Sequence, residues 1–177
     1  MSKTFVKVED FTGAFNNLIE AVRVRKTLIG IPEEDNARNP EDGNQPIGNA
    51  AILYINNFGS PANNIPPRPV MNIGIFNAQD EIVEELKKAV QNGFKKGSRA
   101  LNQYYERVGI IGSNSVKRTI NDQIGIDPPA ESTLEARRAR GFKGTKALLV
   151  TGQTRNAITY VVTDGSTRET APPSREA

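Results

Sequence analysis

Apolar residues recur at two different periods along this chain, and the places where the period changes predict its elements. Phe11, Phe15, Leu18, Ile19 and Val22 stand three and four apart, which predicts an amphipathic helix over Phe11 to Val22. Arg23 to Ile31 changes to alternation with β-branched residues, which predicts a strand ending at Pro32. Asn49 to Phe58 returns to helical spacing, with Ala50, Leu53, Tyr54 and Asn57 on one side and Gly59 as a C-terminal stop. Ser60 to Pro69 carries four prolines, so it reads as a stiff, extended segment with Arg68 presented between two of them.

From Asp80 a helix is predicted through Ile82, Leu86, Ala89, Val90, Gly93 and Gly97, with acids in its first turns, lysines later and a break near Gly97. A second register runs through Leu101, Tyr104, Tyr105, Val108, Ile111, Ser115, Thr119 and Ile120 and stops before Pro128. Ser132 with Glu135 forms a capping-box signature for a short helix over Thr133 to Arg140, ended by Gly141. Ala147 to Val150 is a short apolar run, and Ile158, Tyr160 and Val162 alternate with Thr159, Val161 and Thr163. Two strands are therefore expected, joined by a turn in which Gly152 bends the chain and Thr151 and Thr154 can cap a helical turn over Gln153 to Asn156.

These elements predict an α+β fold: a small, mostly antiparallel sheet packed against one or two long helices, with short peripheral helices. Residues 22–31, 147–151 and 157–163 are the expected strands. A length of 177 residues suits one domain, 1–163, interrupted by a flexible acidic loop at 33–46 and followed by a flexible tail at 164–177 that lacks an apolar pattern.

Composition narrows the chemistry. The chain has neither cysteine nor histidine, which removes disulfides, thiolate and Ser-His nucleophiles, the usual zinc ligands and the commonest near-neutral proton carrier. No apolar run resembles a signal peptide or approaches the ~18 residues of a membrane span, so the expected setting is the cytoplasm or a particle assembled there.

The net charge of +3 hides an uneven distribution. Residues 36–85 hold two basic and six acidic side chains, whereas residues 86–150 hold thirteen basic and five acidic ones, a polarity that can steer copies together or attract a polyanion. The densest cations are Arg137, Arg138, Arg140, Lys143 and Lys146, with no acid among them. They suit phosphate or an acidic partner, and equally a solvated helix end and loop. Gly144, Thr145 and Lys146 do not have the spacing of a phosphate loop. The acids at Glu33–Asp35 and at Glu41 and Asp42 do not match a calcium loop, and Glu84 and Glu85 lie on adjacent helix faces rather than as an acid/base pair. No catalytic residue, cofactor site or metal site is assigned.

Four segments in chain order carry a resemblance. Ile47-Gly-Asn-Ala-Ala-Ile-Leu-Tyr-Ile-Asn-Asn-Phe-Gly59 precedes Ile65-Pro-Pro-Arg-Pro69; then come Ser132-Thr-Leu-Glu-Ala-Arg-Arg-Ala-Arg140 and Lys146-Ala-Leu-Leu-Val-Thr-Gly-Gln-Thr-Arg155, which runs on into the strand ending near Val162. Their order resembles the neck and tail-completion (head-tail joining) proteins of long-tailed double-stranded DNA bacteriophages, over roughly residues 28–163. That family usually carries an acid before Phe-Gly and an aromatic after Arg-Pro; here Asn57 and Val70 stand in those places.

The resemblance implies a non-enzymatic structural protein of the virion neck or tail, made in the bacterial host's cytoplasm. It implies a homo-oligomeric ring that touches the head-tail connector, tail terminator or tail tube, with contact to the DNA in the channel left open and no membrane partner. Phe58, Pro67, Arg68, Pro69, Thr151, Gly152 and Arg155 are the expected protein-interface residues. The alternative is a DNA-binding or packaging accessory protein acting through the basic segment 137–146. A carboxylate enzyme, such as a cell-wall hydrolase carried in a tail, has no catalytic pair spaced to support it.

Overall fold

A computed structural model describes residues 8–38 and 47–164 of the chain. Helix α1 (Val8–Val24) leads into strand β1 (Lys26–Gly30) and a 3-10 turn at Glu33–Asp35, with further 3-10 turns at Pro61–Asn63 and Ser98–Leu101. Then follow α2 (Asn49–Phe58), α3 (Val70–Asn77), α4 (Gln79–Lys96), α5 (Asn102–Asp122), α6 (Glu131–Ala139), α7 (Gln153–Ala157) and strand β2 (Thr159–Thr163). The fold is α+β, and its sheet among the described residues is one antiparallel pair in which Leu28 faces Val161 and Gly30 faces Thr159.

α5 organises the rest. Its first half meets α1 and α4 around Leu18, Ala89, Leu101, Tyr104 and Tyr105. Its second half meets α2, α3 and the chain leading to β2 around Leu53, Val70, Val116, Ile120, Ile126, Ala147 and Ile158. The sheet lies on a groove of small residues in α5: a Cβ on Gly109 would strike the Tyr160 ring, and one on Gly112 would strike Ile29. Glycine at both places lets the backbones approach closely enough for Tyr160 and Ile29 to cover the helix.

α3 and α4 run side by side with α5 in the opposite direction. Gly74 lies against Val116, Glu85 reaches Arg107 at 3.6 Å, and Gly93 lies against Leu101 just before α5, so contacts retreat toward the start of α5 as α3 and α4 advance. The two helices form one rod, interrupted only at Ala78 (φ −96°, ψ 1°), whose N–H still bonds back to Gly74 and Ile75.

α1, α2, α5 and the break at Gly97 follow the expected pattern, and Gly59 and Gly97 end their helices at φ +77° and +81°. Three elements differ. α3 was not expected: the two asparagines of Val70 to Asn77, Asn72 and Asn77, fall on different sides of it, so it lacks the amphipathic period that marks a helix. The strand expected at 147–151 is a turn, because Leu148 takes a left-handed φ of +60° and both backbone groups of Ala147 are held by the Gln123 side chain rather than by a ladder. The expected strand at 22–31 is shorter, since α1 continues to Val24.

The capping box at Ser132 does not form. α6 starts two residues earlier, with Ala130 at its N-cap and Ser132 inside the helix. Part of the expected acidic loop, 33–38, is ordered by Asn36, whose Oδ1 accepts from Ala50 N–H at 2.9 Å. Residues 39–46 of that loop, including Glu41 and Asp42, and the tail from 165 onward lie outside the described residues.

Candidate functional site

α2, α6, α7 and the irregular chain between them meet at one corner of the fold, where most of the candidate residues are found. α2 supplies its floor. Asn49, buried at the start of α2, donates through Nδ2 to the Asp35 and Ala37 carbonyls at 3.3 and 3.1 Å. Its Oδ1 accepts from Arg38 Nη1 at 2.7 Å and from Thr154 Oγ1 at 3.2 Å. Arg38 Nη1 also reaches Thr154 Oγ1 at 3.1 Å. This buried node ties the chain before α2 to α7. Buried polar groups of this kind need every partner in place, which fixes the relative position of the elements.

At the other end of α2 the buried Asn57 joins it to α3: its Oδ1 accepts from Met71 N–H at 3.0 Å, and its Nδ2 donates to Asn72 Oδ1 at 3.1 Å. The proline segment then returns along α2, with Arg68 N–H donating to Asn56 O at 2.6 Å. Arg68 is not presented to solvent. It is 7% exposed, and Nε and Nη2 donate to the carbonyls of Asp127 and Pro128 at 2.8 and 3.0 Å, tying the linker after α5 to the linker before α3.

The basic segment is partly occupied by its own fold. Arg137 Nη1 donates to the carbonyls of Lys146 and Gly144 at 2.8 and 3.3 Å, and Lys146 Nζ donates to Asn121 O at 2.6 Å. Arg138 pairs with Glu131 at 2.7 Å, and the Arg140 guanidinium stands 5.3 Å from the Phe142 ring centre. Lys143 is exposed. Burial, and then the charge of Arg68, lower the pKa of Arg137 from its usual value.

Arg38, Arg137 and Arg140 nevertheless line one cavity of about 210 Å³ together with Asn56, Thr151 and Thr154, and no carboxylate lines it among the described residues. Arg38, Arg140, Thr151 and Gln153 each have further interactions of their own. The cavity can accept an oxyanion, but it holds no nucleophile placed beside a base.

Gly152, buried at φ +78°, turns the chain into α7, and Thr151 Oγ1 accepts weakly from Gln153 N–H at 3.5 Å. Arg155 Nη1 donates to Asn121 Oδ1 at 2.9 Å, so Arg155 and Lys146 both anchor to the end of α5. Pro67 is exposed, and Pro69 is half-buried at the N-cap of α3. Phe58 is exposed and touches Tyr54, with ring centres 4.8 Å apart. Arg137, Arg140, Thr151 and Gly152 thus come together, whereas Phe58 and Pro67 are outward-facing and Arg68 is internal.

The Arg38–Asn49–Thr154 node was missed from sequence; its only signal is an asparagine after glycine at the start of a helical period. Among the described residues, no group of three or more Asp or Glu side chains could hold a metal ion, and no helix is long and apolar enough to cross a membrane.

No family model, curated protein or solved structure matches this chain.

Proposed function

We propose that the chain is a structural, non-enzymatic virion protein of a long-tailed phage neck, joining head connector to tail or completing the tail as one copy of an oligomeric ring. The observation that supports this reading is the convergence of the four segments whose order resembles that protein family. Residues 47–59 and 146–162 meet through Asn49 and Thr154, residues 65–69 pack back on α2 through Arg68 and Asn56, and residues 132–140 bond to residues 144–146 through Arg137. Segments scattered along the sequence thus build one rigid corner, which exposes Phe58, Pro67 and Thr151 for contact with the connector, tail terminator or tail tube.

Gold-labelled antibody against the chain should decorate the head–tail junction of virions, and infection without the chain should accumulate DNA-filled heads beside unattached tails. Label confined elsewhere, or its absence from particles, would overturn the reading.

The arginine-lined cavity favours a second reading, a DNA-binding or packaging accessory protein acting through Arg137, Arg138, Arg140, Lys143 and Lys146. Under that reading, loss of the chain leaves empty heads instead of filled ones, and binding to a short duplex falls steeply with added salt.

A further inference from the structure

The α3–α4 rod carries more apolar surface than the fold covers. Ala89 and Gly93 are buried and Leu86 is half-buried against the core, but Phe76 is 74% exposed, Val83 40% and Phe94 51%, with Val90 half-buried between them. On a rod that turns by 100° per residue, positions 76, 83, 90 and 94 fall along one line, so these side chains form an outward stripe about 27 Å long. Phe94 widens its far end by stacking on Phe15, with ring centres 5.7 Å apart.

Charge along the same rod is ordered. Asp80, Glu81 and Glu84 stand exposed toward the start of α4, and Lys87, Lys95 and Lys96 stand exposed after them. A parallel neighbour would oppose like charges. An antiparallel neighbour with the same sequence that lays Phe76 near Phe94 of the other copy sets Glu84 beside the other copy's Lys87 twice, on either side of the midpoint. The helix macrodipoles also oppose favourably in that arrangement.

We propose that two copies of this chain pair through antiparallel α4 helices along the stripe of Phe76, Val83, Val90 and Phe94. The occupant is a second copy because both halves of the complement, apolar line and reversed charge, are present on this one α3–α4 rod. Such a contact is isologous, the same patch serving both partners. It is a property of the chain in solution and does not rest on the neck reading. A single helical seam buries less than a standard interface, so the dimer forms and dissociates with concentration, and added salt weakens it.

Light scattering on the full chain should show the mass rising toward twice the monomer value with concentration. Val83→Lys, at an exposed position that the core does not use, should leave circular dichroism and melting unchanged and keep the chain monomeric over the same range. Orientation is read by single cysteines, which are clean reporters because the chain has none. Under mild oxidation an equal mixture of Phe76→Cys and Phe94→Cys chains should crosslink between the two kinds at least fivefold faster than either variant alone. A wild-type chain that stays monomeric, a dimer indifferent to Val83→Lys, or crosslinking as fast within one variant as between the two would each overturn the proposal.

Discussion

Gln123 and Ala147 exchange two hydrogen bonds: Gln123 Nε2 donates to Ala147 O at 3.2 Å, and Ala147 N–H donates to Gln123 Oε1 at 2.8 Å. The same Nε2 also bonds to Ile120 O. Gln123 sits at the C-cap of α5 in a left-handed conformation, φ +59°, so it both ends the helix and fastens a turn from much later in the chain. Replacing it with alanine removes both partners of Ala147 and should cost about 2 kcal/mol. Glycine loses the same bonds but is at ease at positive φ, so Gln123→Gly should be about 1 kcal/mol more stable than Gln123→Ala. Urea denaturation of the two variants measures the difference, and equal stabilities would show that the backbone carries no strain there.

Gly74 is set by a neighbouring backbone. A Cβ there would lie 2.6 Å from Val116 Cα and 2.9 Å from Val116 N. Since a main chain cannot turn aside as a side chain can, Gly74→Ala should separate α3 from α5 and cost about 2 kcal/mol or more. Gly13 in α1 has nothing within 4 Å of such a Cβ, and Gly13→Ala should stabilise by up to about 1 kcal/mol through helix propensity. Thermal melts should therefore shift in opposite directions.

Arg68 acts as an internal fastener. Arg68→Met keeps the stem but strips the donors from the Asp127 and Pro128 carbonyls, and should cost about 3 kcal/mol. Arg68→Lys can serve only one of the two carbonyls and should fall between wild type and methionine in guanidinium chloride denaturation. If Arg68 served only an external partner, all three proteins would unfold together.

Glu85 and Tyr105 set opposite pH responses. The Lys88 hydrogen bond, with help from the charges of Lys88 and Arg107, holds the Glu85 carboxyl below its usual 4.5 against the opposing effect of burial. A depressed folded pKa means stability that is present above the unfolded value and is lost as pH falls through the folded one. Melting temperatures of wild type should therefore fall more steeply below about pH 4.5 than those of Glu85→Gln. Burial raises the Tyr105 phenol above its usual 10.0, partly offset by Arg25, and its hydroxyl donates to Val22 O at 3.3 Å. That stability is present below the unfolded pKa and is lost as pH rises through the folded one, so Tyr105→Phe should flatten the alkaline limb of the same profile.

Amphipathic elements were legible in the sequence, and elements defined by what surrounds them were not. α5 could be read because Tyr104, Tyr105, Val108 and Ile120 repeat at helical spacing and are all buried. α3 could not, because Asn72 and Asn77 do not line up into one polar face. Ala147 to Val150 has the composition of a strand, yet a side chain 24 residues away claims its hydrogen bonds, and no local pattern announces that. The candidate site divides in the same way. Its cations were visible as a charge run, but the use of Arg137 and Lys146 as fasteners for carbonyls depends on where Asn121 and the turn before Ala147 fall.

The pairing of Lys26–Gly30 with Thr159–Thr163 has a consequence for how the chain is made. The partners of β1 are among the last described residues to leave the ribosome, so α4 and α5 can associate during synthesis while Leu28 and Ile29 wait for their ladder partners Val161 and Tyr160. The sheet cannot close until residues 159–163 have been made. Until it does, the nascent chain displays the glycine groove of α5 and an open strand edge, the features most apt to recruit a chaperone or to pair with the wrong molecule.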